Sequence, residues 1–223
     1  EVGSFTVSYN FTSPATLIIG RNAGSGLEQL NGYISNLRLV KGTAVYTAAF
    51  TPPTAPLTAI TNTSLLTCQS NRFIDNSSNN FTITRNGDVS VRPFSPFSPS
   101  AAYSTSTNGG SGYFDGSGDY LSASRNAAFI PGANEDFTIE AWVYLLATPN
   151  STGMQIVGLH ESGTAADYAV SINSSMQFTM YVHANFTSYT NTTTPLVLNS
   201  WNHVAISRSG TASNNMKMFV NGV

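Results

Sequence analysis

Charge is scarce in this chain. Only 9% of its 223 residues are Asp, Glu, Lys or Arg, against about 25% in an ordinary soluble domain. Nine basic and eleven acidic side chains leave a net charge of −2, so no basic field exists to draw nucleic acid. Cysteine is scarcer still. Cys68 stands alone, which excludes an intrachain disulfide and a multi-cysteine metal site, and its plain reading is a small buried hydrophobe. No apolar run is long enough to span a bilayer, so membrane insertion is not expected. No basic-then-apolar leader opens the chain, and Glu1 starts in mid-pattern, as an excised piece would. Ser, Thr, Asn and Gly fill the surface that charge leaves vacant, and such a surface does little to oppose self-association.

Helical periodicity is also missing. The one candidate is Gly42 to Ala49, flanked by Gly and Pro and no more than a single turn. What is present is period two. Phe137, Ile139, Ala141 and Val143 alternate with Asp136, Thr138, Glu140 and Trp142, the pattern of a half-buried strand. The same alternation runs through Met176–Val182, Val204–Ser207, Met216–Val220 and Tyr33–Leu39. Gly, Asn and Pro interrupt it at short intervals, as in a β-sandwich. With 41% hydrophobic residues the chain has ample material for one large all-β core.

The most telling feature lies at the end. Met216–Val220 is a strand and Asn221-Gly222 is the strongest short hairpin signal, because a type I′ turn needs φ > 0 at both central residues. A hairpin needs a return strand, and Val223 followed by Glu1-Val2-Gly3-Ser4-Phe5 supplies one. Val220, Asn221, Gly222, Val223, Glu1 and Val2 are therefore the candidate assembly junction.

The motifs around this junction resemble a known family. Trp201-Asn202-His203-Val204-Ala205 with Met218-Phe219-Val220-Asn221-Gly222 is similar to a strand pair of laminin-G-like domains. Phe114-Asp115-Gly116-Ser117-Gly118-Asp119-Tyr120-Leu121 and Phe137-Thr138-Ile139-Glu140-Ala141-Trp142-Val143 resemble two more of its strands. Gly32-Tyr33-Ile34-Ser35-Asn36-Leu37-Arg38-Leu39 resembles the strand that normally closes the domain. Here it comes first. The resemblance implies a concanavalin A-like jelly-roll sandwich with its C-terminal third leading: residues 60–223 form the first part of the domain and residues 1–59 the last. Two arrangements fit. The chain is one period of a tandem array, as in large phage or bacterial surface proteins, or it is a permuted or strand-exchanging subunit.

The chemistry available is sparse. Glu135-Asp136-Phe137-Thr138-Ile139-Glu140 is the nearest match to the paired carboxylates of a glycosidase strand, but alternation puts Glu135 on the wrong face. These carboxylates are expected to face solvent, and no catalytic residues are assigned. His160, His183 and His203 lack the spacing of a metal or nucleophile site. Calcium is the one ligand ion to consider, because laminin-G-like relatives bind it at the sandwich rim; Asp115, Asp119 and Asp75 would be its ligands. For a glycan the candidates are Tyr181, His183, Asn185 and Tyr189, an aromatic and polar group on one segment. The Pro93–Pro99 run is expected to lie extended across the sandwich, with Phe94 and Phe97 anchoring it to the domain or to a neighbouring copy. The function expected is a non-catalytic structural repeat of an extracellular or virion-surface fibre, joined head-to-tail to copies of itself. The alternative is a carbohydrate-binding adhesion domain, with calcium as its candidate ion.

Overall fold

The structure is a computed structural model that describes residues 3–7, 11, 15–22, 27–97, 104, 107–159, 168–182 and 187–223. Among these residues fifteen strands form two antiparallel sheets. The first sheet contains β1 (Gly3–Phe5), β3 (Asn31–Lys41), β4 (Thr63–Thr67), β6 (Ser90–Arg92), β7 (Ser111–Asp115), β9 (Phe137–Leu145), β14 (Trp201–Arg208) and β15 (Met216–Val220). Its order is β1-β15-β14-β9-β3-β7-β6, with β4 also pairing β3. The second contains β2 (Leu17–Ile19), β5 (Ile83–Asn86), β8 (Tyr120–Ala123), β10 (Met154–Leu159), β11 (Tyr168–Ile172), β12 (Phe178–Val182) and β13 (Thr187–Thr190), in the order β13-β12-β11-β10-β2-β8-β5. This is the all-β sandwich that the period-two pattern implies. The first forty-one residues are woven into both sheets: β2 joins β10 to β8, and β3 joins β9 to β7.

Alternation decides what lies between the sheets. Phe137, Ile139, Ala141 and Val143 of β9 meet Phe178, Met180 and Val182 of β12 in a single buried cluster that also holds Cys68. Burial pushes the Cys68 thiol up to about 12, so it stays a neutral apolar filler.

The opposite face of the first sheet is not left to water. The Gly42–Ala49 stretch is not a helical turn, as the sequence suggested, but the start of an extended strap that crosses this face. Its backbone donors are taken by the sheet instead of by carbonyls four residues back: Val45 N–H donates to Thr138 Oγ1 at 2.8 Å, and Phe50 N–H to the Gly222 carbonyl at 2.8 Å. Further along, Leu57 N–H donates to Asn36 Oδ1, and the Arg38 guanidinium donates to the Thr58 carbonyl. Tyr46 and Phe50 stack at 3.7 Å and close over Phe219 and Ala205. The Pro93–Phe97 segment crosses the same face, with Phe94 on Tyr33, Tyr144 and Trp201 and Phe97 edge-on to Trp142.

The Asn221-Gly222 turn of the candidate junction is formed. Val220 and Val223 exchange backbone hydrogen bonds, and Asn221 and Gly222 have φ of 53° and 82°, the type I′ values. β1 lies antiparallel on β15, Gly3 opposite Met218. Glu1 and Val2 lie outside the described residues. A Cβ at Gly222 would collide with the Phe50 carbonyl. Gly222→Ala is therefore expected to cost about 2–4 kcal/mol, the left-handed penalty plus the collision. Gly210→Ala, at φ 67° with open space around it, should cost only the first part, about 1–2 kcal/mol. Urea unfolding of the two variants checks this; equal losses would show that the strap does not press on the turn.

Candidate functional site

Two polar constellations stand out, one on the outer face of each sheet. On the first sheet, Glu140 is fully buried beneath the strap. It accepts from Arg38 Nε and Nη2 at 2.8 and 2.6 Å through Oε1, and from the Tyr46 hydroxyl at 2.7 Å through Oε2, with His203 Nε2 at 3.2 Å. Glu140 is thus not the solvent-facing carboxylate expected from alternation. The strand parity is right, but the strap supplies a second roof. Burial pushes the Glu140 pKa up, yet the His203 hydrogen bond, the charges of Arg38 and His203 and the Tyr46 hydroxyl together bring it below the usual 4.5. Burial and the Glu140 charge also drive the Tyr46 phenol upward, so it remains a donor. The other two carboxylates of that strand region are engaged as well: Glu135 accepts Gly132 N–H and faces Lys41 at 3.5 Å, and Asp136 accepts Gly210 N–H. Every oxygen of Glu140 is spent on holding β3, β14 and the strap to β9, which makes the cluster a structural clasp.

The second constellation is a groove of about 370 Å³ on the outer face of the other sheet. It follows from side-chain size along one cross-strand row. Register places Ser188, Tyr181, Ala169, Gly158, Ile18, Ser122 and Thr84 in line across seven strands. Tyr181 rises at one side, with the small Ala169 beside it. Thr179, Ser171 and Ser188 add hydroxyls, Thr152 and Asn173 close one end, and Asn22 and Glu28 complete the lining. The Thr179 hydroxyl is shared with Thr190 at 3.3 Å, and Asn173 is occupied in its own turn, accepting from Ser175 and Gln177 N–H. An aromatic ring beside hydroxyl, amide and carboxylate groups on a shallow floor suits a polyhydroxylated ligand, whose C–H faces stack and whose hydroxyls exchange hydrogen bonds.

The expected glycan residues divide across the sheet. Tyr181 lines the groove. Tyr189 does not join it: it pairs in register with Met180, so it turns to the inner side and packs edge-on against Phe5 at 5.0 Å. A strand pair that shifts parity between neighbours separates two tyrosines that look equivalent in sequence. His183 and Asn185 lie outside the described residues, as does His160. Asn22, Glu28, Thr152 and Ser171 were missed, because they come from distant segments that only the fold brings together.

The expected calcium ligands divide likewise. Asp115 and Asp119 come together, and their third carboxylate is Asp88, with ligand oxygens within 4.8 Å of one another. Asp75 is elsewhere: buried, it accepts Leu66, Ser77 and Phe81 N–H and the Ser77 hydroxyl, so its oxygens are spent on an Asx turn. Three carboxylates fit part of a calcium shell, which takes six to eight oxygens. Asp119 already accepts the N–H groups of Asp88 and Asp115. Burial first, then Asp88 and the charge of Asp115, raise its pKa, against those two N–H donors. This turn is tied to the residue after Glu28, since Gly118 N–H donates to Gln29 Oε1.

Because the Glu140 pKa is lowered, its stabilisation is present above about 4.5 and is lost as pH falls through the lowered folded-state value. Glu140→Gln leaves Arg38 without its counter-charge and is expected to cost about 3–5 kcal/mol at pH 7. Chemical unfolding from pH 3 to 7 should show the wild type losing this advantage at the acid end, with the two curves converging. Parallel curves, or no loss at pH 7, would mean that the clasp holds nothing.

Comparison with known proteins places residues 115–223 in a match to the family model described as the concanavalin A-like lectin/glucanases superfamily. No curated protein matches the chain. No solved structure matches it either.

Proposed function

For a chain that carries a laminin-G-like domain of the concanavalin A-like superfamily, we propose a non-catalytic role as a carbohydrate-binding module of a protein displayed outside the cell or virion. The observation that carries this reading is the groove beside Tyr181, with its small-residue floor and its hydroxyl and amide walls. Calcium belongs to the same reading. Bound among Asp88, Asp115 and Asp119 it would stiffen the turn that holds Gln29, and with it the adjacent wall of the groove.

Thermal-shift and calorimetric titration with a panel of neutral oligosaccharides, with and without millimolar calcium, tests both parts. At least one member is expected to bind. Tyr181→Ala and Ser188→Ala should each weaken it, Tyr181→Ala tenfold or more, about 1.4 kcal/mol, without lowering the melting temperature of the free protein. Calcium should strengthen binding in the wild type and not in Asp119→Asn. Failure of the whole panel to shift the protein at millimolar concentration would remove the glycan reading.

Head-to-tail assembly into a fibre, as a structural repeat or strand-exchanging unit, is the second reading. It is favoured by the pairing of β1 with β15 next to the Asn221-Gly222 turn. The same antiparallel register made between copies would link each unit to the next, as domain swapping does. The sparse charge of the surface would offer such contacts little repulsion. Sedimentation and negative-stain imaging across micromolar to millimolar concentration decide it. Chains or rings that vanish in a Phe5→Pro variant, whose strand pairing is lost, would support it; a monomer at every concentration would exclude self-assembly of this chain.

A further inference from the structure

The dipeptide that makes the junction turn occurs four times: Asn31-Gly32, Asn86-Gly87, Asn108-Gly109 and Asn221-Gly222. Each carries the same chemical liability. Glycine has no Cβ to keep its backbone nitrogen away from the preceding side chain. That nitrogen can attack the Asn Cγ, expel ammonia and close a succinimide ring. Water then opens the ring at either carbonyl, leaving Asp or its isoaspartyl isomer. The reaction needs an Asn amide free to swing toward the next nitrogen, a glycine backbone that can move, and water within reach.

Three of the four pairs are held. Gly32 lies between two strands, opposite Phe114 of β7 and Leu145 of β9, and a Cβ on it would strike the Tyr144 carbonyl. Asn108 is 1% exposed, with its Oδ1 accepting Ser104 N–H at 2.6 Å and its carbonyl accepting the Ser95 hydroxyl. Asn221 Oδ1 accepts His203 N–H at 2.9 Å, and Asn221 N–H donates to the His203 carbonyl at 2.8 Å. The Gly222 carbonyl beside it accepts Phe50 N–H from the strap. Attack at any of these pairs requires the ladder, the loop or the strap to open first.

Asn86-Gly87 escapes these restraints. Asn86 ends β5, the edge strand of the second sheet, and β8 alone pairs with it among the described strands. Its side chain is held by two long bonds from Nδ2, to the Thr84 carbonyl at 3.3 Å and the Ser122 hydroxyl at 3.2 Å. Nδ2 is the atom that leaves as ammonia. Gly87 and Asp88, which follow, are exposed to water. The product bears on the acidic turn. Asp88 N–H donates to Asp119 Oδ1 at 2.8 Å, and a Cβ at Gly87 would collide with that carboxylate. Deamidation adds a charge two residues before Asp88, and the extra main-chain methylene of an isoaspartyl link pushes Gly87 and Asp88 against Asp119.

We propose that Asn86 is a self-modification site, the Asn-Gly pair that deamidates first in the folded chain and adds charge and main-chain length beside the turn of Asp88, Asp115 and Asp119.

The full chain, incubated in mildly alkaline buffer, is sampled by peptide mapping, with isoaspartyl residues counted by methyltransferase labelling. Asn86 should convert at least tenfold faster than Asn31, Asn108 or Asn221. In denaturing guanidinium the four rates should draw together, because the shared dipeptide then decides them. Asn86→Gln, which would have to close a larger ring, should lose the early labelling and keep the wild-type melting temperature. Conversion led by another pair in the folded protein, four equally slow pairs, or early labelling that persists in Asn86→Gln would overturn the assignment.

Discussion

The rest of the structure depends on the neutralisation of one buried carboxylate. Glu140 lies at the centre of the first sheet, and an isolated carboxylate there would be far too costly to bury. Arg38 meets it from β3, His203 from β14 and Tyr46 from the strap. Each partner belongs to a different segment, so satisfying one charge fixes three elements against a fourth. Arg38 extends the effect by donating to the Thr58 carbonyl, and so ties down the far end of the strap. A hydrophobic residue at 140 could fill the space and still would not specify this register. The directional demands of the charge do.

Once the first sheet is roofed, the two faces of the sandwich have different fates. One outer face is closed by two straps rich in aromatic rings, and its polar side chains are consumed in docking them. The other carries the groove, bordered by Tyr181 and Ala169 among the described residues. Gly158, next to Ala169 in the row, cannot be enlarged without cost: a Cβ there would lie 2.9 Å from the Tyr168 carbonyl and from Gln155 Nε2. The hollow beside Tyr181 is therefore built into the sheet and is not a chance gap between loops.

Much of this was legible in the sequence. Strand alternation located β9, β12, β14 and β15, and the turn at Asn221-Gly222 has the φ values that its residue types require. Proline spacing foresaw that Phe94 and Phe97 would lie across the sheet. Two of the failures share a cause. Glu140 and Tyr189 were each judged from local pattern, and each is governed by a contact distant in sequence, a strap about 94 residues away for Glu140 and Phe5 for Tyr189, whereas the oxygens of Asp75 are taken within its own turn and the adjoining strand. Glu28 left no local signal at all. It reaches the groove through a left-handed backbone held by Gln155, 127 residues on.

The glycan and assembly readings use different sheets, and this bears on how they relate. The β1–β15 edge closes one end of the strap-covered sheet, whereas the groove lies toward the β12–β13 end of the other. Strand exchange at the β15 edge would leave Tyr181, Ala169 and Glu28 untouched, so linked units could each carry a working groove. Weak binding in one groove would then add along the chain, since tethered sites convert later binding events into intramolecular ones. If the groove takes a saccharide, a shallow site on a domain with so little surface charge would gain most from such repetition, because little long-range attraction would raise its affinity for any single ligand.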